Sequence, residues 1–249
     1  MSELSVGVVG RGRLGTALAD ALRASGRDVL GPAGRGEIPA ADAILLCVPD
    51  AEIPAAAAAV AGAARLVGHT SGATGLAALE PSRADGAFGI HPLQTFTGSP
   101  ADAGRFQGCR CAVGGTSADA LDAALGIARS LGMEPFELSD EQRPAYHAAA
   151  SIASNFLVAL EAAAEEVAAG AGLDPAEARA ALAPLVRTTV DNWAALGPER
   201  ALTGPVARGD ELTVAAQREA VRAVAPQLEA LFDVMVERAK ALAGQEVPA

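Results

Sequence analysis

The chain has 249 residues and a formal net charge of −11, and only 3% of its residues are aromatic. This acidic balance argues against nucleic acid as the main partner, because phosphate backbones need a basic surface, whereas a small anionic ligand needs only a local group of donors. The three cysteines lack metal-ligand spacing, so we expect no metal site and a reducing cytoplasm. We find no export signal, and the apolar stretch 55–64 is too short to cross a bilayer.

Short apolar or β-branched runs alternate with Ala- and Leu-rich stretches over the first half of the sequence. Helices are predicted over 14–24 and 118–131. Strands alternating with helices indicate an α/β fold with a doubly wound, mostly parallel Rossmann sheet. The predicted strands are residues 6–9, 28–30, 43–48, 66–68, 87–90, 111–113 and 135–138.

From residue 144 onward the sequence predicts helices and no strand. A long helix with an apolar face comes first. Asp174 and Glu177 flank Pro175 in the pattern of a capped helix start. A last helix is expected over about 212–242, kinked at Pro226. We place the domain boundary in the linker-like segment 139–143, which gives a Rossmann domain, 1–140, and an all-helical domain, 141–249.

A glycine-rich loop lies between the first predicted strand and the first predicted helix. Such glycines allow a tight turn, close approach of the backbone to a pyrophosphate, and close packing of the helix on the strand. The helix start adds N–H groups and a positive dipole end. A glycine-rich turn without a ligand is the alternative, but the strand–loop–helix context favours a dinucleotide. The loop residues are Gly10, Arg11, Gly12, Arg13, Leu14 and Gly15.

The type of dinucleotide is predicted from the residues after the second strand. NAD enzymes usually place an acid there for the ribose 2′-hydroxyl, but residues 30–34 contain none and Arg35 follows. Together with Arg11, this predicts a 2′-phosphate pocket and therefore NADP(H), the alternative being that Arg35 is merely solvated. Val48, Pro49 and Ser71 complete the candidate cofactor-binding residues.

Several segments spread over the chain resemble one family of bacterial proteins. These proteins have a Rossmann-like N-terminal domain and a C-terminal domain of unknown function, and they fall in the superfamily of 6-phosphogluconate dehydrogenase-like enzymes with helical C-terminal domains. The matching segments are the glycine loop, Val48-Pro49-Asp50, His69-Thr70-Ser71-Gly72, His91-Pro92-Leu93-Gln94-Thr95-Phe96, Tyr146-His147-Ala148-Ala149-Ala150 through Ser154-Asn155-Phe156, and Gly204-Pro205-Val206-Ala207-Arg208-Gly209-Asp210.

This resemblance implies a reductase. The most similar named activity is an NADPH-dependent ketopantoate reductase of pantothenate biosynthesis. Pyrroline-5-carboxylate reductase is similar in layout, but its substrate loop of serine, glycine and threonine is not evident here. Other superfamily members carry a lysine four residues before an asparagine on the first helix of the second domain. Here Ser151 stands at the lysine position and Asn155 is kept, which leaves the proton donor open.

The candidate histidines follow predicted strands. His91 lies at the carboxyl end of the strand 87–90, where open α/β sheets place their active sites, and a histidine there suits proton transfer near neutral pH. A structural histidine bonded to a loop carbonyl is the alternative. For His69 we favour a structural role, with Ser71 as the ligand contact.

The helical half adds further candidates. His147, Ser151 and Asn155 are spaced i, i+4, i+8 and predict a polar, catalytic stripe on one helix, although serines bonding backbone carbonyls would also explain them. Tyr146 could donate a proton or stack on the substrate. Arg208 could clamp a substrate carboxylate, or it forms a loop-fixing pair with an Asp that caps the last helix.

The leading hypothesis is an NADPH-dependent reductase of a small keto acid, with 2-dehydropantoate (ketopantoate) as the candidate substrate. An imine reductase of the pyrroline-5-carboxylate type and a non-catalytic NADP(H)-binding sensor or scaffold are the alternatives. The long alanine-rich helices carry more apolar surface than one copy can bury, so we also expect a homodimer through the helical domain.

Overall fold

The computed structural model describes residues 4–244. By its internal contacts the chain divides into two compact units, residues 1–151 and 152–249. The boundary predicted near residue 140 marks the end of the sheet, whereas this division falls within the next helix, Arg143–Ala153. The difference arises because Arg143 and Tyr146, in the first turns of that helix, form hydrogen bonds with residues of the first unit, Ser71 and His91 respectively.

The first unit is built on one seven-stranded sheet of order β2-β1-β3-β4-β5-β6-β7. Neighbouring strands run parallel except β5 and β6, which are antiparallel. The predicted α/β fold with a mostly parallel sheet is therefore confirmed. The strands are β1 (Val6–Val9), β2 (Val29–Ala33), β3 (Ala43–Leu46), β4 (Leu66–His69), β5 (Gly86–Pro92), β6 (Arg110–Gly115) and β7 (Glu134–Glu137).

Helices cover both faces of the sheet, so β1, β3 and β4 are buried along their whole length. Alternate strand residues enter opposite clusters, as the two-residue period of a strand requires. Val8 and Leu45 pack in one cluster with Leu18, whereas Ile44 packs in the other with Ile53. The covering helices are α1 (Arg13–Ala24), α2 (Ile53–Ala59) and α3 (Ala118–Ser130).

Strand β2 extends beyond its predicted end at residue 30. It continues through Gly31 and Pro32 to Ala33, which is paired with Val9 of β1. A proline in this position is tolerated because β2 lies at the edge of the sheet, where one side of the strand donates no ladder hydrogen bonds. The loop that follows β2 consequently begins at Gly34.

The second unit is helical, and its described residues, 152–244, contain no strand, as predicted. Asp174 caps α6 by accepting hydrogen bonds from the backbone N–H groups of Ala176 and Glu177, so the predicted helix start is confirmed. The helices are α4 (Arg143–Ala153), which begins in the first unit, then α5 (Asn155–Ala168), α6 (Pro175–Leu196), α7 (Pro198–Ala201), α8 (Glu211–Val224) and α9 (Glu229–Leu242).

Two helices that the sequence predicts as continuous are interrupted. Ser154, at φ −122° and ψ −69°, separates α4 from α5, so that Asn155 begins a new helix. The prediction that one helix carries His147, Ser151 and Asn155 was therefore wrong. Pro226 ends α8 rather than kinking it, because proline removes a backbone donor and forces the preceding Ala225 out of helical geometry, to φ −142° and ψ 68°.

Among the described residues, one helical stretch, Asp140–Ala171, is long and apolar enough to cross a membrane by length and composition alone. None of its most apolar window is buried within the chain. Core and interface helices pass the same test, so the expectation that the chain lacks a membrane segment stays a prediction.

Candidate functional site

The glycine loop connects β1 to α1 and is shaped by close backbone contacts. Gly10 has φ +115°, and a Cβ there would lie 2.1 Å from the Cys47 carbonyl oxygen. A Cβ at Gly15 would lie 2.1 Å from the Gly10 carbonyl oxygen. Both positions therefore require glycine to build the turn and to seat α1 on the sheet.

Gly12 differs from the two glycines that flank it. A Cβ at this position would have no atom within 4 Å, and its φ is −75°, which any residue can adopt. It is the N-cap residue of α1, whose first turn has no side-chain cap and no acidic residue. Contacts within the chain therefore do not require a glycine at position 12, whereas a ligand that closely approaches the backbone here would require one.

A cavity of 660 Å³ opens at the carboxyl ends of β1, β2 and β3. Four of the predicted cofactor-binding residues line it: Gly10, Arg11, Arg35 and Val48. A neighbouring cavity of 360 Å³ is lined by Arg11, Gly12 and Arg13 together with the loop 98–103. The structure thus brings most of the predicted cofactor residues to one edge of the sheet.

Four predicted cofactor residues do not line these two cavities, and one of them, Gly15, is required by the packing of α1 on the turn. Leu14 packs against the hydrophobic core. Pro49 is the N-cap residue of the short 3-10 turn that precedes α2. Ser71 lies in the loop after β4, where it is buried and its carbonyl oxygen accepts a hydrogen bond from Arg143. Their assignment to the cofactor site stays a prediction.

Glu37 is an acid after β2 that the sequence analysis missed. Its Oε2 atom accepts hydrogen bonds from the Gly34 backbone N–H, at 2.8 Å, and from Arg11 Nη2, at 2.6 Å. The backbone bond, and then the charge of Arg11, lower the pKa of Glu37. The sequence analysis considered residues 30–34, which contain no acid, because the strand was expected to end at residue 30; β2 instead ends at Ala33, so the segment that follows it reaches Glu37. Arg35, for its part, is paired with Glu52 at 3.2 Å.

A second polar group forms where β4 and β5 end and α4 begins. His91 Nδ1 lies 2.7 Å from the Tyr146 hydroxyl oxygen, and the rings of His91 and His147 are 6.1 Å apart. A Cβ at Gly72 would lie 2.8 Å from His91 Cε1 and 2.9 Å from His147 Cδ2, so this loop packs directly on both rings. The structure therefore brings together His91, Tyr146 and His147.

Arg143 holds this group in place, and the sequence analysis missed it because the segment 139–143 was read as a linker. Its side chain is 3% exposed. Nε lies 2.7 Å from Asp140 Oδ1, and Nη1 donates to the Ser71 carbonyl oxygen at 3.2 Å. The other oxygen of Asp140 accepts from the Leu76 backbone N–H at 2.7 Å. The Asp140–Arg143 pair therefore pins both ends of the loop 71–76.

Burial and positive charge set the protonation states. Burial, the neighbouring His147 and the Arg143 guanidinium lower the pKa of His91 to about 4, and burial raises the pKa of Tyr146 to about 12. At neutral pH the pair is therefore a neutral imidazole and a protonated phenol. The expectation that His91 would have a pKa suited to proton transfer near neutrality was wrong for this reason.

His69 is fully buried at the end of β4. Its Nδ1 atom accepts a hydrogen bond from the Ser71 backbone N–H at 3.2 Å, so the ring proton lies on Nε2. Burial and the charge of Arg143 lower the pKa of His69 to about 4. The Nε2 atom of His69 is buried and has no hydrogen-bond partner among the described residues, so the structural role that we expected for His69 stays a prediction.

The remaining candidates are Ser151, Asn155 and Arg208. Ser151 is half-buried in the last turn of α4, and Asn155 is exposed at the start of α5. Arg208 belongs to the second unit, in the turn before α8, where Asp210 caps the helix by accepting from the Thr213 backbone N–H. This cap agrees with the structural alternative for that loop. The roles of Ser151, Asn155 and Arg208 stay predictions.

The sheet, the glycine loop at its edge and the helical second unit define a Rossmann-type α/β protein with a helical C-terminal domain. Residues 109–239, more than half of the chain, match the family described as Domain of unknown function (DUF2520). The chain belongs to this family. No curated protein matches the sequence at a significant level.

Solved structures share this fold over nearly the whole chain. The candidate NADP oxidoreductase BF3122 from Bacteroides fragilis is 21% identical, with a TM-score of 0.79 over 96% of this chain and 98% of its own. Protein TM1727 from Thermotoga maritima is 24% identical, with a TM-score of 0.79 over 96% and 100%. The 1-pyrroline-5-carboxylate reductase of Streptococcus pyogenes is 14% identical, with a TM-score of 0.62 over 96% and 98%. At these identities the similarity establishes the fold.

Proposed function

We propose that the chain is an NADP(H)-dependent reductase of a small keto acid. The observation that carries this proposal is the glycine loop, in which Gly10 and Gly15 are required by packing whereas Gly12 faces open space at the start of α1. A helix start that is open to solvent and lies at the carboxyl edge of a parallel sheet is where dinucleotide phosphates bind.

The solved structures of the same fold support a redox role. BF3122 is described as a candidate NADP oxidoreductase, and the protein from Streptococcus pyogenes as a pyrroline-5-carboxylate reductase. A third structure, at a TM-score of 0.64 and 16% identity, is an NADH-preferring ketol-acid reductoisomerase from an uncultured archaeon, covering 96% of this chain and 82% of its own. The reductoisomerase and the pyrroline-5-carboxylate reductase are named for a keto and an imino acid, which supports the substrate class that we propose here.

The cofactor would be held by residues around the two cavities at the sheet edge. The first turn of α1, from Gly12 and Arg13, would face the pyrophosphate. Arg11 and Arg35 line the cavity after β2 and would face a 2′-phosphate, because guanidinium groups bind phosphate with two parallel hydrogen bonds. When bound, the reduced nicotinamide supplies a hydride.

The polar group of His91, Tyr146 and His147 would receive the substrate carbonyl. At neutral pH the His91–Tyr146 pair in this group carries no formal charge and offers hydrogen-bond donors, since His91 is neutral and Tyr146 is protonated. Donors of this kind stabilise the negative charge that develops on the carbonyl oxygen during hydride addition. Ser151 and Asn155 remain proposed catalytic residues, and Arg208 a proposed partner of the substrate carboxylate.

Within this class we propose ketopantoate as the substrate, because of the sequence resemblance to the ketopantoate reductase family. The proposal is tested by following NADPH oxidation against a panel of 2-oxo acids that includes ketopantoate, with cyclic imines such as pyrroline-5-carboxylate alongside. Turnover of ketopantoate at the highest kcat/KM is the expected result. Turnover of the imine alone would favour the imine reductase, and tight NADPH binding without turnover of any compound would favour the sensor.

A further inference from the structure

We propose that Tyr146 is the catalytic acid of this site and that His91 is a positioning residue, which donates its Nδ1–H to the Tyr146 oxygen. The proposal rests on the reductase function proposed above and assigns the proton donor within it. Of the two roles that the sequence leaves open for Tyr146, proton donor or substrate contact, it selects the first, and it changes His91 from the expected acid to a positioning residue.

The surroundings of His91 disfavour an imidazolium ion. The charged and titratable groups that act on its ring are Arg143, His147 and His69, which oppose a positive charge, and Asp50, which favours one. No carboxylate of the described residues is hydrogen-bonded to His91, whose polar side-chain contact is the Tyr146 hydroxyl. A histidine that stays neutral has no proton acidic enough to transfer, and its low pKa of about 4 agrees with this geometry.

The surroundings of Tyr146 suit a proton donor. Its ring is fixed edge-on between Phe136, at 5.9 Å, and His91, at 5.5 Å. If neutral His91 carries its proton on Nδ1, that proton must point at the Tyr146 oxygen, and the phenol proton is then free to point at a ligand. Burial and, less strongly, Cys111 and Cys109 raise the pKa of the phenol, whereas Arg143 lowers this pKa and so stabilises a tyrosinate.

When bound, the reduced nicotinamide would supply a hydride to the substrate carbonyl carbon, and the carbonyl oxygen would then carry a negative charge. The O–H bond of Tyr146 breaks as the O–H bond of the product alcohol forms, and the electron pair stays on the Tyr146 oxygen. The His91 Nδ1–H bond and the Arg143 charge stabilise this tyrosinate until a water molecule returns the proton. The protein is thereby restored, with no net change in His91.

The test uses the full-length protein and two variants, and it is aided by the composition, since the chain has one tyrosine and three histidines. Tyr146→Phe is expected to lower kcat by about 100-fold or more while leaving NADPH affinity unchanged. His91→Gln keeps an amide N–H donor and is expected to lower kcat by about tenfold or less. The wild-type kcat is expected to be independent of pH between about 5 and 9, because neither group titrates in that range.

A second readout needs no turnover. The ¹⁵N shifts of the imidazole nitrogens distinguish an Nδ1–H from an Nε2–H ring, and His91→Gln assigns the His91 signals. The proposal requires the neutral Nδ1–H form for His91 at pH 7, so an Nε2–H form would overturn it. His69 provides an internal reference, because its Nδ1 accepts a hydrogen bond and its proton must lie on Nε2.

Different results would contradict the assignment of Tyr146 as the acid and the reductase function itself. An active Tyr146→Phe enzyme, within threefold of wild type, would overturn the assignment of the acid and leave the reductase intact. So would a wild-type kcat that declines as the pH rises through the range where a histidine titrates. A folded wild-type protein that neither binds NADPH nor oxidises it with any panel compound would overturn the reductase and the acid together. Circular dichroism melts of both variants show whether they are folded.

Discussion

The Arg11–Glu37 ion pair places a carboxylate beside the proposed 2′-phosphate site. Its two side chains are 60% and 55% exposed and both line the cavity after β2. A bound 2′-phosphate would compete with Glu37 for Arg11 and would be repelled by the Glu37 charge. Exposed pairs of this kind are weak because water screens their charges, so the competition has a modest effect.

We therefore expect Glu37→Gln to tighten NADPH binding by about threefold and to leave NADH binding nearly unchanged. Titration of protein fluorescence with each cofactor measures both affinities. Glu134→Gln is a matched control, because it removes a carboxylate from another exposed pair, with Arg110. Weaker NADPH binding in Glu37→Gln would mean instead that Glu37 orients Arg11 for the phosphate.

The buried His69 makes the stability of the protein depend on pH. Its pKa is about 4 in the folded chain and 6.5 as an ordinary histidine, so the unfolded chain binds its proton more tightly between these values. The free energy of unfolding is therefore expected to decrease as the pH falls from about 6.5 to about 4, by about 3 kcal/mol from this residue. Above about 6.5 the contribution is constant.

Urea unfolding between pH 4 and pH 8 measures this dependence. His69→Gln cannot take up the proton and is expected to show a smaller decrease in the free energy of unfolding at low pH. His91 contributes in the same direction, so His69→Gln reduces the slope without abolishing it. An unchanged slope in His69→Gln would contradict the assignment of His69 as a buried neutral residue.

Single residues of the site were predictable to different degrees. His91 and Tyr146 stand out because histidine and tyrosine are rare in this chain and His91 follows a strand. Arg143 and Glu37 do not stand out, because other charged residues lie near them in the sequence. The partner of Arg143, Ser71, is distant in the sequence, and the contact of Glu37 with Gly34 follows only once the end of β2 is known. The spacing of Asp140 and Arg143 just before an apolar helix is the one local signal for that pair.

At the scale of elements, the strands and helices of the sheet unit were predictable because each face of the sheet is covered, which leaves short, wholly apolar runs such as Ala43–Leu46. The positions at which helices of the second half are interrupted were not predictable from the hydrophobic pattern. Pro226 was expected to bend a helix, whereas it ends one, and Ser154 interrupts a sequence whose helical periodicity continues on both sides. Periodicity reports which face is apolar and says little about where backbone hydrogen bonds stop.

At the scale of the whole molecule, the helical unit has very little core of its own. Within the described residues 152–244, the buried apolar side chains are Ala178, Val214, Val221 and Ala225. Large apolar side chains of the same unit are exposed, among them Val158 at 70%, Leu185 at 62% and Trp193 at 56%. Apolar surface of this extent usually marks an interface, and we propose that a second copy of the chain covers it.

Light scattering coupled to size-exclusion chromatography tests this proposal. The expected result is twice the chain mass of 24.8 kDa at micromolar concentration. Leu185→Glu, which places a charge on the exposed apolar surface, is expected to shift the protein toward the monomer, whereas Leu185→Met keeps the surface apolar and is expected to remain dimeric. A monomeric wild type would contradict the proposed homodimer.

The proposed function depends most directly on Gly12, whose place in the fold leaves room for a side chain. Gly12→Ala is therefore expected to fold with an unchanged melting temperature and to bind NADPH at least about tenfold more weakly, because its methyl group blocks the approach of the pyrophosphate to the backbone. Gly104→Ala is the matched control, since a Cβ there also meets no atom within 4 Å. Calorimetric titration of NADPH into the three proteins decides the matter, and wild-type affinity in Gly12→Ala would contradict a dinucleotide site at this loop.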